Sequence, residues 1–152
     1  MTTPADELRA AAEKLRALTT AASTDTDGTP TTQWNAEPRW PDDPDGHWNL
    51  YGGYTSRDDG RRFGWPRLNR GGSQHRQAYM HPQHAEYAAA MGPALGLALA
   101  DWLDKEAAIW DHIDSVAAEQ GPKGLKVAVG LSTHNEALAV ARQILGTEVR
   151  TR

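Results

Sequence analysis

The chain is expected to adopt an α+β fold, with a small tryptophan-rich antiparallel sheet packed against helices from both ends of the sequence. Three observations carry this expectation. Residues 4–22 and 82–146 bring apolar side chains back every three or four positions, the period of a helix. Residues 33–66 lose that period and hold four of the six tryptophans: Trp34, Trp40, Trp48 and Trp65. The same stretch is punctuated by Asp45-Gly46 and Asp59-Gly60, pairs that favour tight turns between short strands.

The first helix is announced by its start. Thr3 offers a capping hydroxyl, and Pro4 sits at the first helical position, where its missing N–H costs nothing. Asp6 and Glu7 then favour the positive end of the helix dipole. Leu8, Ala11, Leu15, Leu18 and Ala22 form the apolar stripe. Ser23 to Thr32 is a polar, turn-rich loop or linker.

The Asp45-Gly46 turn precedes His47–Tyr51, whose alternation reads as a strand. Asp59-Gly60 leads into Arg61–Trp65, a second strand candidate. Two to four short strands are expected over 33–66. Hairpins of that size are marginal alone, so they must pack on a helix. Residues 67–81 read as an irregular loop, with Gly71-Gly72 as a turn.

Pro82 opens a short helix to Met91. Gly92-Pro93 breaks it, because a residue before proline avoids the helical region. From Pro93 to about Gln120 a broad apolar stripe runs through Leu95, Leu99, Trp102, Leu103, Ile109, Trp110, Ile113, Val116 and Ala117. Leu99, Trp102, Leu103, Trp110 and Ile113 are expected on one buried face. Gly121-Pro122 stops this helix. Residues 125–131 suit either a strand, with Thr133 and Glu136 as a capping box for a following helix, or one continuous helix to Leu145. The steps from Val127 through Leu131, Leu138 and Ala141 favour the continuous helix, with Gly130 a cost of about 1 kcal/mol.

At 152 residues the chain is expected to form a single domain, 1–152. Its 39% apolar content is inflated by alanine, and with one Phe the tryptophans are expected to supply much of the core. The absence of cysteine excludes disulfides, thiolate chemistry and cysteine-ligated metals. The N-terminus has neither a basic region nor an apolar stretch, and no run approaches the roughly 18 residues of a membrane span. A cytoplasmic protein without membrane association is expected. Net charge is −4 but segregated: residues 1–56 carry −5, 57–76 carry +4, 77–120 carry −6 and 121–152 carry +3. This pattern fits a local anion site or an internal contact between the segments, and does not fit a general nucleic-acid binder.

With these elements placed, the run Tyr87-Ala-Ala-Ala-Met-Gly-Pro-Ala-Leu-Gly-Leu-Ala-Leu-Ala-Asp-Trp-Leu103 and the run Glu136-Ala-Leu-Ala-Val-Ala-Arg-Gln-Ile-Leu-Gly146 stand out. Together with the helix Ala5–Ala22 and the segment around Trp34 and Trp48, they give the chain its resemblance. It resembles small actinobacterial and actinophage proteins of unknown function. In layout it is more distantly similar to the Ead-like accessory proteins of tailed phages. Those place Gly-Pro-Trp between the first helix and the sheet, where this chain has Thr32-Gln33-Trp34. The resemblance implies a phage or prophage context and carries over no catalytic residue.

The functional lead read from the residues is the basic stretch 57–76. Arg57, Arg61, Arg62, Arg67, Arg70 and Arg76 are interleaved with Phe63, Trp65 and His75. Guanidinium groups bind phosphate bidentately and stack on rings, so the stretch suits a nucleotide or other phosphate ligand. The competing reading is that these arginines neutralise the acidic helix of residues 101–119.

For metal chemistry, Asp111, His112, Asp114, His81, His84, His134 and Glu136 are the available ligands. They include no His-Glu-x-x-His pair. Ser132 near His134 lacks the glycine-flanked turn of acyl-transfer nucleophiles. No cofactor, metal site or catalytic residue is assigned. The leading expectation is a non-catalytic phage- or prophage-type accessory protein that binds another protein, a host protein first and a phage protein as the alternative. A small-ligand or nucleotide-binding protein comes second and a metal-dependent hydrolase third. An exposed pair among the four sheet tryptophans would mark an interface.

Overall fold

The computed structural model describes residues 2–43, 45–56, 58–60, 62–70, 72–73, 76–120 and 134–146. Within these the side chains of 55, 56, 62, 63, 72, 73, 76, 77, 120 and 134 are left aside. The architecture is α+β, as the sequence predicts. In chain order it runs α1 (Pro4–Ala22), β1 (Asn35–Pro38), β2 (Trp48–Tyr51), β3 (Tyr54–Ser56), β4 (Arg62–Gly64), β5 (Gly72–Ser73), β6 (Arg76–Gln77), α2 (Pro82–Ala90), α3 (Pro93–Gln120) and α4 (His134–Leu145). The choice of strand or helix over 125–131 lies outside the described residues. Among the described residues no helix is long and apolar enough to cross a membrane. The chain divides into two compact units, one of residues 1–17 and 97–152 and one of residues 18–96.

The first unit is helical. α1 starts where its cap requires: the Asp6 N–H donates to the Thr3 hydroxyl at 3.1 Å, and the Thr3 N–H donates to the Asp6 carboxylate at 3.1 Å. This reciprocal pair satisfies two donors at the helix start. The core joins Ala5, Leu8, Ala11 and Ala12 of α1 to Ala100, Leu103 and Ala107 of α3 and Ala137, Leu138 and Ala141 of α4. Arg9 pairs with Asp111, while Arg16 reaches Asp101 at 2.7 Å and Asp104 at 2.6 Å. As the α1 partner advances the α3 partner recedes, so these helices run antiparallel. Arg142 of α4 meets Glu7 at 3.0 Å. These pairs are largely exposed, so solvent screens them and they add little to stability. Their arrangement sets register more than stability.

Two expectations about this core need correction. Leu103 and Ile113 are buried, but Trp102 and Trp110 only flank the core, and Ile109 is 38% exposed. Six residues separate Ile109 from Leu103, which turns it about 120° round the helix and off the buried face. The buried face is narrower than the apolar stripe, and Leu95, like Ile109, is 38% exposed. Alanine and leucine, not tryptophan, make up the buried centre.

The second unit holds the strands, as three two-stranded antiparallel ladders: β1–β2, β3–β4 and β5–β6. β1 pairs with β2 from Asn35 opposite Tyr51 to Pro38 opposite Trp48. α2 packs across both strands, burying Ala85. The β5–β6 ladder lies within the stretch 67–81 that reads as loop. Its strands are two residues each, too short for a period to show. Thr19 at the end of α1 is buried against Gly96, where any Cβ would collide with the Thr19 hydroxyl.

The tryptophans of this unit also depart from expectation. Trp34 and Trp48 are partly buried, but Trp40 is 58% and Trp65 50% exposed. Strands of two to four residues in separate ladders present too little surface to cover every ring.

Candidate functional site

The outer edge of β2 positions the candidate site. The segment 65–69 runs antiparallel to β2 and its continuation. Trp65 N–H donates to the Gly53 carbonyl at 3.0 Å, Gly52 N–H to Pro66 at 2.8 Å, and Leu68 N–H to Leu50 at 2.7 Å. Asn69 finishes the match by accepting from the Leu50 N–H at 3.1 Å. This register sets Arg67 directly opposite Tyr51. Opposed residues in an antiparallel pair share a face, so the Tyr51 ring and the Arg67 guanidinium serve one surface. Gly64 allows the ring to lie against β4, since a Cβ there would come 2.6 Å from Tyr51 Cδ2.

A second wall comes from the loop after α1. Asp25 N–H donates to Thr29 at 2.8 Å and Gly28 N–H to Asp25 at 2.9 Å, folding residues 25–29 into a tight turn. The Asp27 carboxylate accepts from the Thr29 N–H at 2.9 Å. That bond first, and then one to the Thr29 side chain, holds the Asp27 carboxyl below its ordinary value of 3.8, with nearby Arg70 adding to the effect. Arg70 ties the two walls together. Its terminal nitrogen pairs with Asp25, whose side chain is only 12% exposed, and its Nε donates to the Arg67 carbonyl at 2.9 Å.

Thr26, Asp27, Tyr51, Gly64, Trp65, Arg67 and Arg70 line a cleft of about 600 Å³. Of the residues singled out in the sequence, the structure brings Trp65, Arg67 and Arg70 together. Arg62 and Phe63 lie in β4 and Arg76 in β6, with side chains left aside; Arg57, Arg61 and His75 lie outside the described residues. Thr26, Asp27 and Tyr51 carry no such signal in the sequence. The turn signature Asp-Thr-Asp-Gly was visible at 25–28, but nothing local ties it to residues 64–70.

Asp101, Asp104 and Asp111 take their cations from α1, through Arg16 and Arg9. The described partner of Arg70 is Asp25, and no carboxylate pairs with Arg67 among the described residues. Among those same residues no group of three His, Asp or Glu side chains could hold a metal ion.

A second feature of this unit is its exposed rings. Trp40, Tyr54, Trp65, Tyr79 and Tyr87 are all between 44% and 69% exposed, and every exposed tryptophan and tyrosine among the described residues lies between 18 and 96. Some rest on polar neighbours: His47 stacks on Tyr79 with centroids 3.8 Å apart, and Arg39 lies 5.1 Å from the Trp40 ring centre.

No family model matches the chain, and no curated protein or solved structure matches it either.

Proposed function

We propose that this chain is a non-catalytic accessory protein of phage or prophage type, working in the cytoplasm by binding a host protein. The observation that supports this reading is the gathering of exposed rings, Trp40 and Tyr87 foremost, in residues 18–96. Water-exposed tryptophan and tyrosine are the side chains that most often anchor protein interfaces, because each supplies a large apolar face with a polar tip. The first unit has no tryptophan or tyrosine among the exposed residues described, and Arg9, Arg16 and Arg142 are paired across its helices. The phage context comes from the resemblance of Tyr87–Leu103 and Glu136–Gly146.

A photo-crosslinking side chain placed at position 40 or 87, and at exposed Lys14 as control, tests the proposal in host cells. A discrete host-protein adduct is expected at 40 or 87 and not at 14. Unlabelled wild type should compete it away, and a Trp40→Ala, Tyr87→Ala variant should not. That variant should fold normally, since exposed substitutions usually change stability by no more than about 0.5 kcal/mol. Equal adducts at all three positions, or none at any, would refute the reading.

A further inference from the structure

We propose that the cleft between the 25–29 turn and the 64–70 segment binds a ribonucleotide, with the base on Trp65, the phosphate on Arg67 and Arg70, and the sugar hydroxyls on Asp27. This site is separate from the protein-partner reading and stands or falls without it.

Three features of the cleft converge on that chemistry. Trp65 lines a concavity yet keeps half its surface in water. An indole that lines a cleft with half its surface in water offers area for a base to stack on, and stacking tolerates any base. The cations are arranged unequally. Arg70 is fixed by Asp25 and by the Arg67 carbonyl, so its position is set before any ligand arrives. Arg67 has no carboxylate partner among the described residues, and its planar fork suits a phosphate oxygen pair.

The third feature is the acid. Asp27 is fixed by Thr29 and stays ionised, so it can only accept hydrogen bonds. An anion without donors would meet its charge at close range. A bare ring would leave Arg67 unused. A ribonucleotide satisfies all three groups at once, because it carries an anion, a flat ring and a hydroxyl pair of the kind carboxylates accept in nucleotide sites. The cleft's 600 Å³ lies within the span of small-ligand sites, roughly 300–1,000 Å³.

Titration calorimetry on the full chain tests the assignment. The probes are adenosine and guanosine monophosphates, their 2′-deoxy counterparts, inorganic phosphate and a short single-stranded RNA. Saturable binding of a ribonucleotide is expected, tighter than its deoxy form and much tighter than phosphate. Trp65→Ala should weaken it on the order of tenfold, and Trp65→Phe should restore most of that loss. Arg67→Ala should weaken it by a similar factor and flatten its salt dependence. Asp27→Asn should abolish the ribose preference while leaving deoxynucleotide binding intact.

If RNA binds with the same Trp65 and Arg67 dependence and free nucleotides do not, the nucleotide enters as part of a strand and the assignment of groups holds. It is overturned if no ribonucleotide or RNA saturates at millimolar concentration. It is also overturned if phosphate alone binds as tightly, or if variants whose melting matches wild type bind as wild type does.

Discussion

Leu103→Ala gives the sharpest test of how the helical unit is held. Leu103 is fully buried in a cluster in which seven of the ten buried members are alanines: Ala5, Ala11, Ala12, Ala100, Ala107, Ala137 and Ala141. Removing three carbons forfeits about 2.4 kcal/mol at roughly 0.8 per buried carbon. A cavity term then adds to this, and its size depends on how far the neighbours can close in. Alanine has no rotamer with which to fill a void. The site should therefore collapse poorly, and the total should reach the upper part of the measured range, about 4–5 kcal/mol. In a chain of this size that lowers the melting temperature by about 10 °C or more. Urea denaturation followed by circular dichroism, with Ile109→Ala as control, measures it. Ile109 is 38% exposed and off the buried face, so its truncation should cost under about 1 kcal/mol. Equal losses in the two variants, or a Leu103→Ala midpoint that overlays wild type, would refute the placement of this core.

Thr3→Ala should cost about 1 kcal/mol by removing the α1 cap, read in the same denaturation assay. The Thr3 hydroxyl and backbone N–H hold the Asp6 carboxyl below its ordinary value of 3.8. A depressed carboxyl adds stability that is complete above the unfolded value and is lost as pH falls through the folded one. Wild type should therefore outlast Asp6→Asn in melts from pH 7 to 5, with the gap closing only below about pH 3.8. Gly64→Val should displace the Tyr51 ring and lower the melting temperature, whereas a substitution at exposed Gly60 to Asn should be far milder. Chelator should leave melting unchanged, and a fall of several degrees reversed by zinc or manganese would show a metal site beyond the described residues.

Legibility in the sequence followed locality. The start of α1 was readable because cap, proline and first-turn acids lie within five residues and act on one another. β2 was readable because a turn pair and an alternating pentapeptide adjoin. The ends of α3 were readable from Gly-Pro pairs. Side-chain placement was less so. Trp40 and Trp65 have the composition of core residues, but whether a ring is covered depends on what lies across a short ladder, which no local pattern records. The cleft was half legible for the same reason. Trp65, Arg67 and Arg70 stood out as a basic aromatic run, while Tyr51 and Asp27 join them only through the Tyr51–Arg67 bridge and the Arg70–Asp25 pair. The Arg70–Asp25 pair spans 45 residues, and one sequence carries no mark of such contacts.

The alanine-built core has a calorimetric consequence. The heat capacity of unfolding rises with the apolar area released to water, by about 0.45 cal/K/mol for each Å². An alanine buried between helices releases little such area, yet it brings backbones close and keeps dispersion contacts dense. The helical unit should therefore show a small heat-capacity step for its length, below the usual 12–15 cal/mol/K per residue. Its stability curve would be shallow, varying gently from refrigeration to body temperature and giving way to cold only far below freezing. A fold closed by small side chains thus keeps much the same margin of stability across a broad span of ordinary temperatures.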